Sequence, residues 1–158
     1  MPSSPAVRRE LFKHLPKIDS GEIYELGSGF GTLAIPLAKQ YPELKITGFE
    51  MSPVPWLIAT VRGRILGLKN LRFKRADFLQ ADLRPASLLV SYLYPGGMEK
   101  IAQRLPALGP DKRYFLSHTF ALPGYAPIQT AQASDLYRSP IYLYELPGPS
   151  QAHRSGEA

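Results

Sequence analysis

The stretch IYELGSGFGTLAIPLAKQ, residues 23–40, joins a short β-prone apolar run to a helix-like pattern through a glycine-rich segment. Gly27, Gly29 and Gly31 fall within five positions, and an acid, Glu25, precedes them. Glycine permits positive φ angles and lets a ligand lie against the backbone where a Cβ atom would collide. The stretch therefore predicts a strand, a ligand-binding turn and a helix that begins near Gly29.

Apolar periodicity elsewhere alternates between strand and helix. Strands are predicted at 22–26, 45–50, 71–76, 87–94 and 113–122, and helices at 7–15, 29–40, 54–67 and 97–109. Two further strands, 126–137 and 139–146, follow with no helix between them. Alternating strands and helices imply parallel pairing through right-handed crossovers. The sequence predicts an α/β fold, a three-layer α/β/α sandwich whose mostly parallel sheet ends in an antiparallel hairpin.

Composition restricts the class of protein. The 158 residues suit one domain, predicted at 1–147 with an amino-terminal helical segment at 1–20 and a disordered polar tail at 148–158. No cysteine is present, and the scattered histidines lack a carboxylate cluster, so no metal site is predicted. No apolar run approaches the ~20 residues of a transmembrane helix. A secretory signal pattern is also missing, so the cytoplasm is the predicted location.

The chain carries a formal net charge of +6. This charge fits either a solvated basic surface or an electrostatic footprint for nucleic acid, acidic protein or anionic lipid, and charge alone does not choose between them. The basic residues form two clusters in the sequence, Arg8, Arg9, Lys13 and Lys17, and Lys69, Arg72, Lys74 and Arg75.

Side chains at successive strand ends indicate an adenosine site. Ligands of doubly wound sheets bind at the carboxyl ends of the strands, where the strand order reverses. Glu50 ends the second predicted strand, where an acid accepts hydrogen bonds from ribose hydroxyls. The turn after the third strand offers Asp77 to an adenine amino group, with Phe78 beside it.

The glycine spacing and Glu25 select the kind of cofactor. Dinucleotide folds use G-x-G-x-x-G, whereas this turn reads G-x-G-x-G, which disfavours a nicotinamide-dependent dehydrogenase. A carboxylate at Glu25 would repel a diphosphate but suits a cationic ligand with an amino group. S-adenosylmethionine carries both a sulfonium and an ammonium, so it is the predicted cofactor.

The segments YELGSGFG, GFEMS, RADF and SLLVSYLYP together resemble the seven-strand, class I S-adenosylmethionine-dependent methyltransferases over about residues 21–146. The resemblance implies a Rossmann-like sheet and a methyltransferase. It also implies that Glu25 lies near the methionine ammonium and that Glu50 holds the ribose. The remaining implied cofactor contacts are Gly27, Ser28, Gly29 and Gly31 along the methionine and ribose, Met51 on an adenine face, and Asp77 with Phe78 at the adenine edge.

The residues after the fourth strand bear on the methyl acceptor. Methylases of adenine or glutamine amino groups carry Asn/Asp-Pro-Pro-Tyr there, whereas this chain has Tyr92-Leu93-Tyr94-Pro95, which argues against those substrates. Tyr92 and Tyr94 either pack at the strand end or shape an aromatic channel for a cationic amine. His118, near the end of the fifth strand, is either a substrate contact or a packed histidine.

GFEMSPVPW, YLYPGGMEKIAQRL and RYFLSHTFALPGY are similar to the small lysine methyltransferases that modify ATP synthase c-subunit and the adenine nucleotide carrier. This narrower resemblance implies N-methylation of a protein lysine, with Tyr92 and Tyr94 as the residues at the reacting group. An RNA methylase, a small-molecule methylase and a catalytically silent S-adenosylmethionine-binding domain remain alternatives.

Overall fold

The computed structural model describes residues 3–147, so the predicted tail at 148–158 lies outside the described residues. Seven strands and four α-helices alternate along this part of the chain. The strands are β1 Glu22–Leu26, β2 Lys45–Phe49, β3 Leu71–Lys74, β4 Ala86–Ser91, β5 Arg113–His118, β6 Gln129–Gln132 and β7 Pro140–Leu146. The α-helices are α1 Pro5–Lys13, α2 Ala34–Gln40, α3 Pro53–Ile65 and α4 Pro95–Arg104, and 3₁₀ turns lie at Phe78–Gln80 and Leu105–Leu108.

All seven strands form one sheet in the order β3-β2-β1-β4-β5-β7-β6. The strands are parallel except β7, which runs antiparallel to both β5 and β6. β2 and β3 follow β1 on one side of it in the sheet, whereas β4 and the later strands lie on its other side. The strand order therefore reverses between β1 and β4. In register, Leu26 at the end of β1 pairs with Phe49 of β2 and Ser91 of β4. The turn after β1 therefore lies in the crevice where such sheets bind ligands.

Each face of the sheet has its own hydrophobic core. Ile23 of β1 belongs to the cluster beneath α1, α2 and α3, whereas its neighbour Tyr24 belongs to the cluster beneath α4. This alternation follows from the two-residue period of a strand. The predicted three-layer α/β/α sandwich with a closing antiparallel hairpin is confirmed. Within residues 3–147, the helices all fall short of the length and apolarity that crossing a membrane requires.

The prediction that α2 begins near Gly29 is wrong, because the helix begins at Ala34. Gly27, Gly29 and Gly31 have φ angles of +77°, +53° and +82°. The glycine turn is thus left-handed at three positions, and its last two glycines are not part of a right-handed helix. Pro36 consequently falls in the first turn of α2, where a missing backbone N–H costs no intrahelical hydrogen bond.

Four predicted strands are longer than the observed ones on the site side of the sheet, β2 by one residue, β3 by two, and β4 and β5 by more. β4 ends at Ser91 and not at 94, because the chain leaves the sheet to enter α4, which begins at Pro95 with Tyr94 as its N-cap residue. β5 ends at His118 and not at 122, since Thr119 has φ +73°. β6 covers 129–132, the centre of its predicted range. Tyr92 and Tyr94 therefore lie in a loop between β4 and α4.

α3 packs on the sheet through small residues. Ala59 and Gly63 are its buried residues, and a Cβ atom at Gly63 would be in ordinary contact with Leu71 and Phe73. The indole N–H of Trp56 donates to the Phe73 carbonyl at 3.0 Å, which anchors the helix to β3. The larger apolar residues of α3 are left on its outer side.

Gly48, in the middle of the buried strand β2, lets the glycine turn approach the sheet. A Cβ atom there would lie 2.8 Å from Cβ of Ser28 and 2.7 Å from the Phe73 ring. We expect Gly48→Ala to lower the free energy of unfolding by roughly 1–2 kcal/mol, because overpacking forces the ring or the turn to move. Urea denaturation measures this change, with Gly96→Ala, whose Cβ would meet no atom within 4 Å, as the control. Equal free energies of unfolding for Gly48→Ala and the wild type would show that the turn or the Phe73 ring moves aside at no cost.

Candidate active site

One cavity of about 240 Å³ lies at the carboxyl ends of the central strands. It brings together side chains from the turn after β1, the end of β2 and the loop after β4, as the sequence predicted for a site at the strand ends. Its lining residues are Ser3, Glu25, Gly27, Ser28, Gly29, Phe30, Thr32, Leu33, Glu50, Tyr92 and Tyr94.

Glu25 is a buried carboxylate at the wall of this cavity. The residue is 5% exposed, and its Oε2 atom has no hydrogen-bond partner within residues 3–147. Burial raises the pKa of Glu25 well above its ordinary value, the Ala34 backbone N–H partly opposes this increase, and the Glu50 charge adds to it. A buried acceptor without a partner is costly. Glu25 therefore lacks a donor or cation that a ligand in the cavity can supply.

Glu50 is held in place by the backbone. Its Oε2 atom accepts from the Gly29 N–H at 2.8 Å, and its Oε1 atom accepts from the Ser52 N–H at 2.9 Å. Each carboxylate oxygen keeps a second lone pair. The carboxylate is thus fixed on the cavity wall with the capacity to accept two hydroxyl hydrogen bonds.

Aromatic rings cluster in the loops after β4 and β5, and two of them line the cavity. The Tyr92 ring stacks on the His118 ring with 4.2 Å between centroids, and the Phe120 ring lies 6.3 Å from Tyr92 on nearly parallel planes. The Tyr94 ring lies 6.2 Å from Phe120 and is 73% exposed, so it forms the open side of the cavity. The loops after β4 and β5 therefore build an aromatic entrance to the site.

His118 supports this entrance from behind. Its Nε2 atom shares a hydrogen bond of 2.8 Å with the Ser3 hydroxyl, and its Nδ1 atom shares one of 3.1 Å with the Thr119 hydroxyl. Burial lowers the pKa of His118 to about 4, so the ring is neutral at pH 7. His118 itself does not line the cavity. Both nitrogens of the His118 ring are hydrogen-bonded, so the ring is held in place. This indicates that His118 positions the Tyr92 ring that stacks on it.

Four of the predicted cofactor contacts lie outside the cavity wall. Gly31 faces the core, where a Cβ atom would come within 2.8 Å of the Phe73 ring. Met51 lies on the surface just after Glu50 and is 60% exposed. Asp77 accepts from the Leu79 N–H at 2.9 Å and begins the 3₁₀ turn that contains Phe78. The contact of Gly31 with the methionine and ribose portion, and the adenine contacts of the other three residues, remain predictions.

Several lining residues were not predicted from the sequence. Phe30, Thr32 and Leu33 belong to the irregular turn for which a helix was predicted. Because they alternate with or follow the glycines in the sequence, they could have been predicted to line the cavity. Ser3 carries no local signal, because the cavity includes it only through tertiary packing beside His118.

The cavity chemistry fits the amino-acid end of S-adenosylmethionine. Besides Glu25, the hydroxyl of Ser28 is buried in the same wall and has no hydrogen-bond partner within residues 3–147. An unpaired carboxylate complements an ammonium group, and an unpaired hydroxyl complements a carboxylate. Glu50 adds acceptors for the ribose hydroxyls. These residues would hold the cofactor, which supplies a methyl group on a sulfonium when bound.

Comparison with solved structures bears on the fold. An RNA methyltransferase from Salinibacter ruber, solved in complex with S-adenosyl-L-homocysteine, aligns over 93% of this chain and 94% of its own with a TM-score of 0.82 and 24% identity. A putative methyltransferase from Escherichia coli aligns over 92% of this chain and 87% of its own, with a TM-score of 0.70 and 16% identity. Both likenesses show the fold.

Two curated relatives share sequence with the chain. A tRNA (guanine-N(7)-)-methyltransferase from Thermotoga maritima is 29% identical over 114 residues, which are 72% of this chain and 33% of the relative. A carboxy-S-adenosyl-L-methionine synthase from Nautilia profundicola is 30% identical over 92 residues, 55% of this chain and 39% of the relative. The chain thus spans little more than a third of the length of these relatives.

A protein family described as ANTKMT methyltransferase domain matches residues 25–129 of the chain. The matched region runs from Glu25, through the glycine turn, Glu50 and the aromatic loop after β4, to the first residue of β6. It covers about two thirds of the 158 residues. The chain belongs to the ANTKMT methyltransferase domain family, and its fold and family are those of a class I S-adenosylmethionine-dependent methyltransferase.

Proposed function

We propose that the protein transfers a methyl group from S-adenosylmethionine to the side-chain amine of a lysine in a protein. The observation that carries the proposal is the aromatic entrance, where Tyr92 and Tyr94 line the same cavity as Glu25 and Glu50. Membership of the ANTKMT family and the narrower sequence similarity support the same acceptor.

Each part of the cavity has a distinct task in this reaction. Glu25 binds the ammonium of the cofactor, Ser28 its carboxylate and Glu50 its ribose, which fixes the position of the methyl carbon. Methyl transfer needs an aligned nucleophile and exclusion of water more than it needs acid–base chemistry at the leaving group. Orientation of the lysine side chain is therefore the main task of the loop after β4.

The aromatic rings account for selection of an alkyl amine. The faces of Tyr92 and Tyr94 attract the ammonium form of lysine at the entrance and pack against its methylene groups. Desolvation deeper in the cavity lowers the pKa of the lysine amine and favours loss of its proton to water. The neutral nitrogen then has the lone pair that in-line attack on the methyl carbon requires.

Replacement of Tyr94 tests the entrance. We expect Tyr94→Ala to lower kcat/KM for the protein acceptor about tenfold, equivalent to about 1.4 kcal/mol, because one aromatic face is lost. Affinity for S-adenosylhomocysteine, measured by calorimetry, should change less than about twofold. Tyr137→Ala removes another exposed tyrosine, outside the cavity, and serves as the control. A larger effect on cofactor affinity than on turnover would make Tyr94 a cofactor-binding residue.

The acceptor itself is identified by labelling. The protein is incubated with fractionated cell lysate and S-adenosylmethionine that carries a radioactive methyl group. We expect label that survives nuclease, is lost with protease and appears as methyllysine after acid hydrolysis. Label that nuclease removes, or label in methylated residues other than lysine, would refute the lysine assignment.

RNA is a second candidate acceptor. The net charge of +6 and the similarity to a tRNA methyltransferase favour it. RNA methylation would depend steeply on salt, because each phosphate contact releases counterions. Its test is turnover on total tRNA at two salt concentrations. A fall on the order of tenfold or more between them, with no methyllysine formed, would support RNA over protein.

A further inference from the structure

The outer side of α3 displays a continuous apolar surface, here called the apolar stripe. At 3.6 residues per turn its members fall within an arc of about 100°, and each is at least 41% exposed. The inner side of the helix meets the sheet through Ala59 and Gly63. A surface helix usually exposes polar side chains and buries large apolar ones, whereas over this arc α3 exposes large apolar side chains. The apolar stripe comprises Val54, Leu57, Ile58, Val61 and Ile65.

Basic residues border the apolar stripe. Residues 51–76 contain six basic residues and neither Asp nor Glu. By helical geometry, Arg62 and Arg64 border the stripe on its two sides. All six bases are exposed, and none forms an ion pair with another residue of the described range 3–147. Arg72 and Lys74 alternate with Leu71 and Phe73 on β3 and therefore point to the other face of the sheet. The basic border consists of Arg62, Arg64, Lys69 and Arg75.

A groove of about 490 Å³ separates α3 from the edge strand β3, beside the apolar stripe. It combines an apolar floor with two cations of the basic border, and this chemistry suits a ligand with an apolar chain and an anionic head. The floor includes Trp56, Leu68, Leu71 and Phe73, and the cations are Arg64 and Lys69.

We propose that α3 binds the surface of an anionic phospholipid bilayer, a property that goes beyond methyl transfer and does not depend on it. The apolar stripe enters the boundary between headgroups and acyl chains, and the basic border contacts lipid phosphates. Arg64 reaches past the stripe to the headgroups because its methylene stem covers apolar surface. Arg62 instead donates to the Phe30 carbonyl at 2.7 Å and holds its charge at the edge of the stripe.

Charge argues for lipid over other occupants. A second copy of the chain docked through the same surface would bring two basic borders together without an acid between them, which repulsion opposes. Nucleic acid would neutralise the cations but leave five aliphatic side chains in water. An anionic bilayer removes the aliphatic side chains of the apolar stripe from water and also supplies phosphates to the cations of the basic border.

Flotation of the full protein with vesicles tests the proposal. We expect binding to vesicles of phosphatidylcholine mixed with phosphatidylglycerol, little binding to phosphatidylcholine alone, and weaker binding at high salt. Leu57→Ser with Val61→Ser should weaken binding at least about tenfold. Arg64→Gln with Lys69→Gln should weaken it about 30-fold, from roughly 1 kcal/mol per cation.

Ile128→Ser with Leu136→Ser is the matched control, since both residues are exposed and lie away from α3. This variant should bind vesicles like the wild type. Circular dichroism and S-adenosylhomocysteine affinity confirm that each variant is folded. The proposal is overturned by absence of binding to anionic vesicles, by equal losses in the stripe and control variants, or by a dimer in sedimentation that only the stripe variant dissociates.

Discussion

The Glu25→Gln variant is expected to bind S-adenosylhomocysteine about 100-fold more weakly than the wild type, a loss of about 3 kcal/mol. The carboxylate is buried and its Oε2 atom lacks a partner within residues 3–147, so an ammonium is the group that compensates it. Glutamine has nearly the same shape but no charge, and its amide nitrogen would face the ammonium as a second donor. Calorimetry measures the loss.

The same substitution is expected to stabilise the protein without cofactor at neutral pH. The pKa of Glu25 is raised in the folded state, so its contribution to stability is complete below the unfolded-state pKa of 4.5 and is lost as pH rises through the folded-state pKa. Glutamine does not ionise, so the variant keeps the stability that the wild type loses when Glu25 ionises. The difference in Tm between Glu25→Gln and the wild type should therefore grow as pH increases above 4.5.

Affinity and stability thus change in opposite directions, which separates a ligand-binding role of Glu25 from a packing role. Glu43→Gln, at an exposed position, is the control and should change neither quantity. Loss of stability in Glu25→Gln together with unchanged affinity for S-adenosylhomocysteine would show that the carboxylate serves the fold and does not face the ammonium.

Glu50→Ala is expected to weaken cofactor binding by 1–3 kcal/mol, roughly 5- to 150-fold. Two losses combine, because the ribose loses its acceptors and the N–H groups of Gly29 and Ser52 lose theirs. Glu50→Gln should also bind poorly. A glutamine has only one side-chain oxygen, so its NH₂ group must oppose one of those two backbone donors.

Adenosine and S-adenosylhomocysteine should both bind Glu50→Ala more weakly in calorimetry, since both carry the ribose. Glu99→Ala on α4 is exposed and controls for loss of a negative charge. If Glu50→Ala affects S-adenosylhomocysteine but not adenosine, the carboxylate contacts the amino-acid end of the ligand and the predicted ribose contact is wrong.

Local patterns were sufficient to predict the layers of the fold and the family. The apolar run before Gly27 predicts β1, and the periodicity around Trp56 predicts α3 to within about two residues at each end. Because parallel strands end at the same edge, the strand assignments alone place Glu25 and Glu50 beside each other. The cavity contains both, and the predicted methyltransferase family is confirmed.

Local patterns were insufficient where tertiary contacts decide the structure. The start of α2 was misplaced because Gly29 and Gly31 adopt left-handed angles that only the packed turn reveals. The orientation of α3 was also hidden, since Ala59 and Gly63 face the sheet while larger apolar residues face outward. A helical period identifies an apolar side, but it does not reveal which side meets the core.

The hydrogen bond between Ser3 and His118 joins residues that are 115 positions apart. A ribosome therefore synthesises Ser3, which lines the cavity, long before His118, which closes β5 and bonds it. Closure of so long a loop is entropically costly until the sheet between its ends has assembled. A nascent chain should consequently acquire the complete binding pocket late, after release of β5 from the exit tunnel.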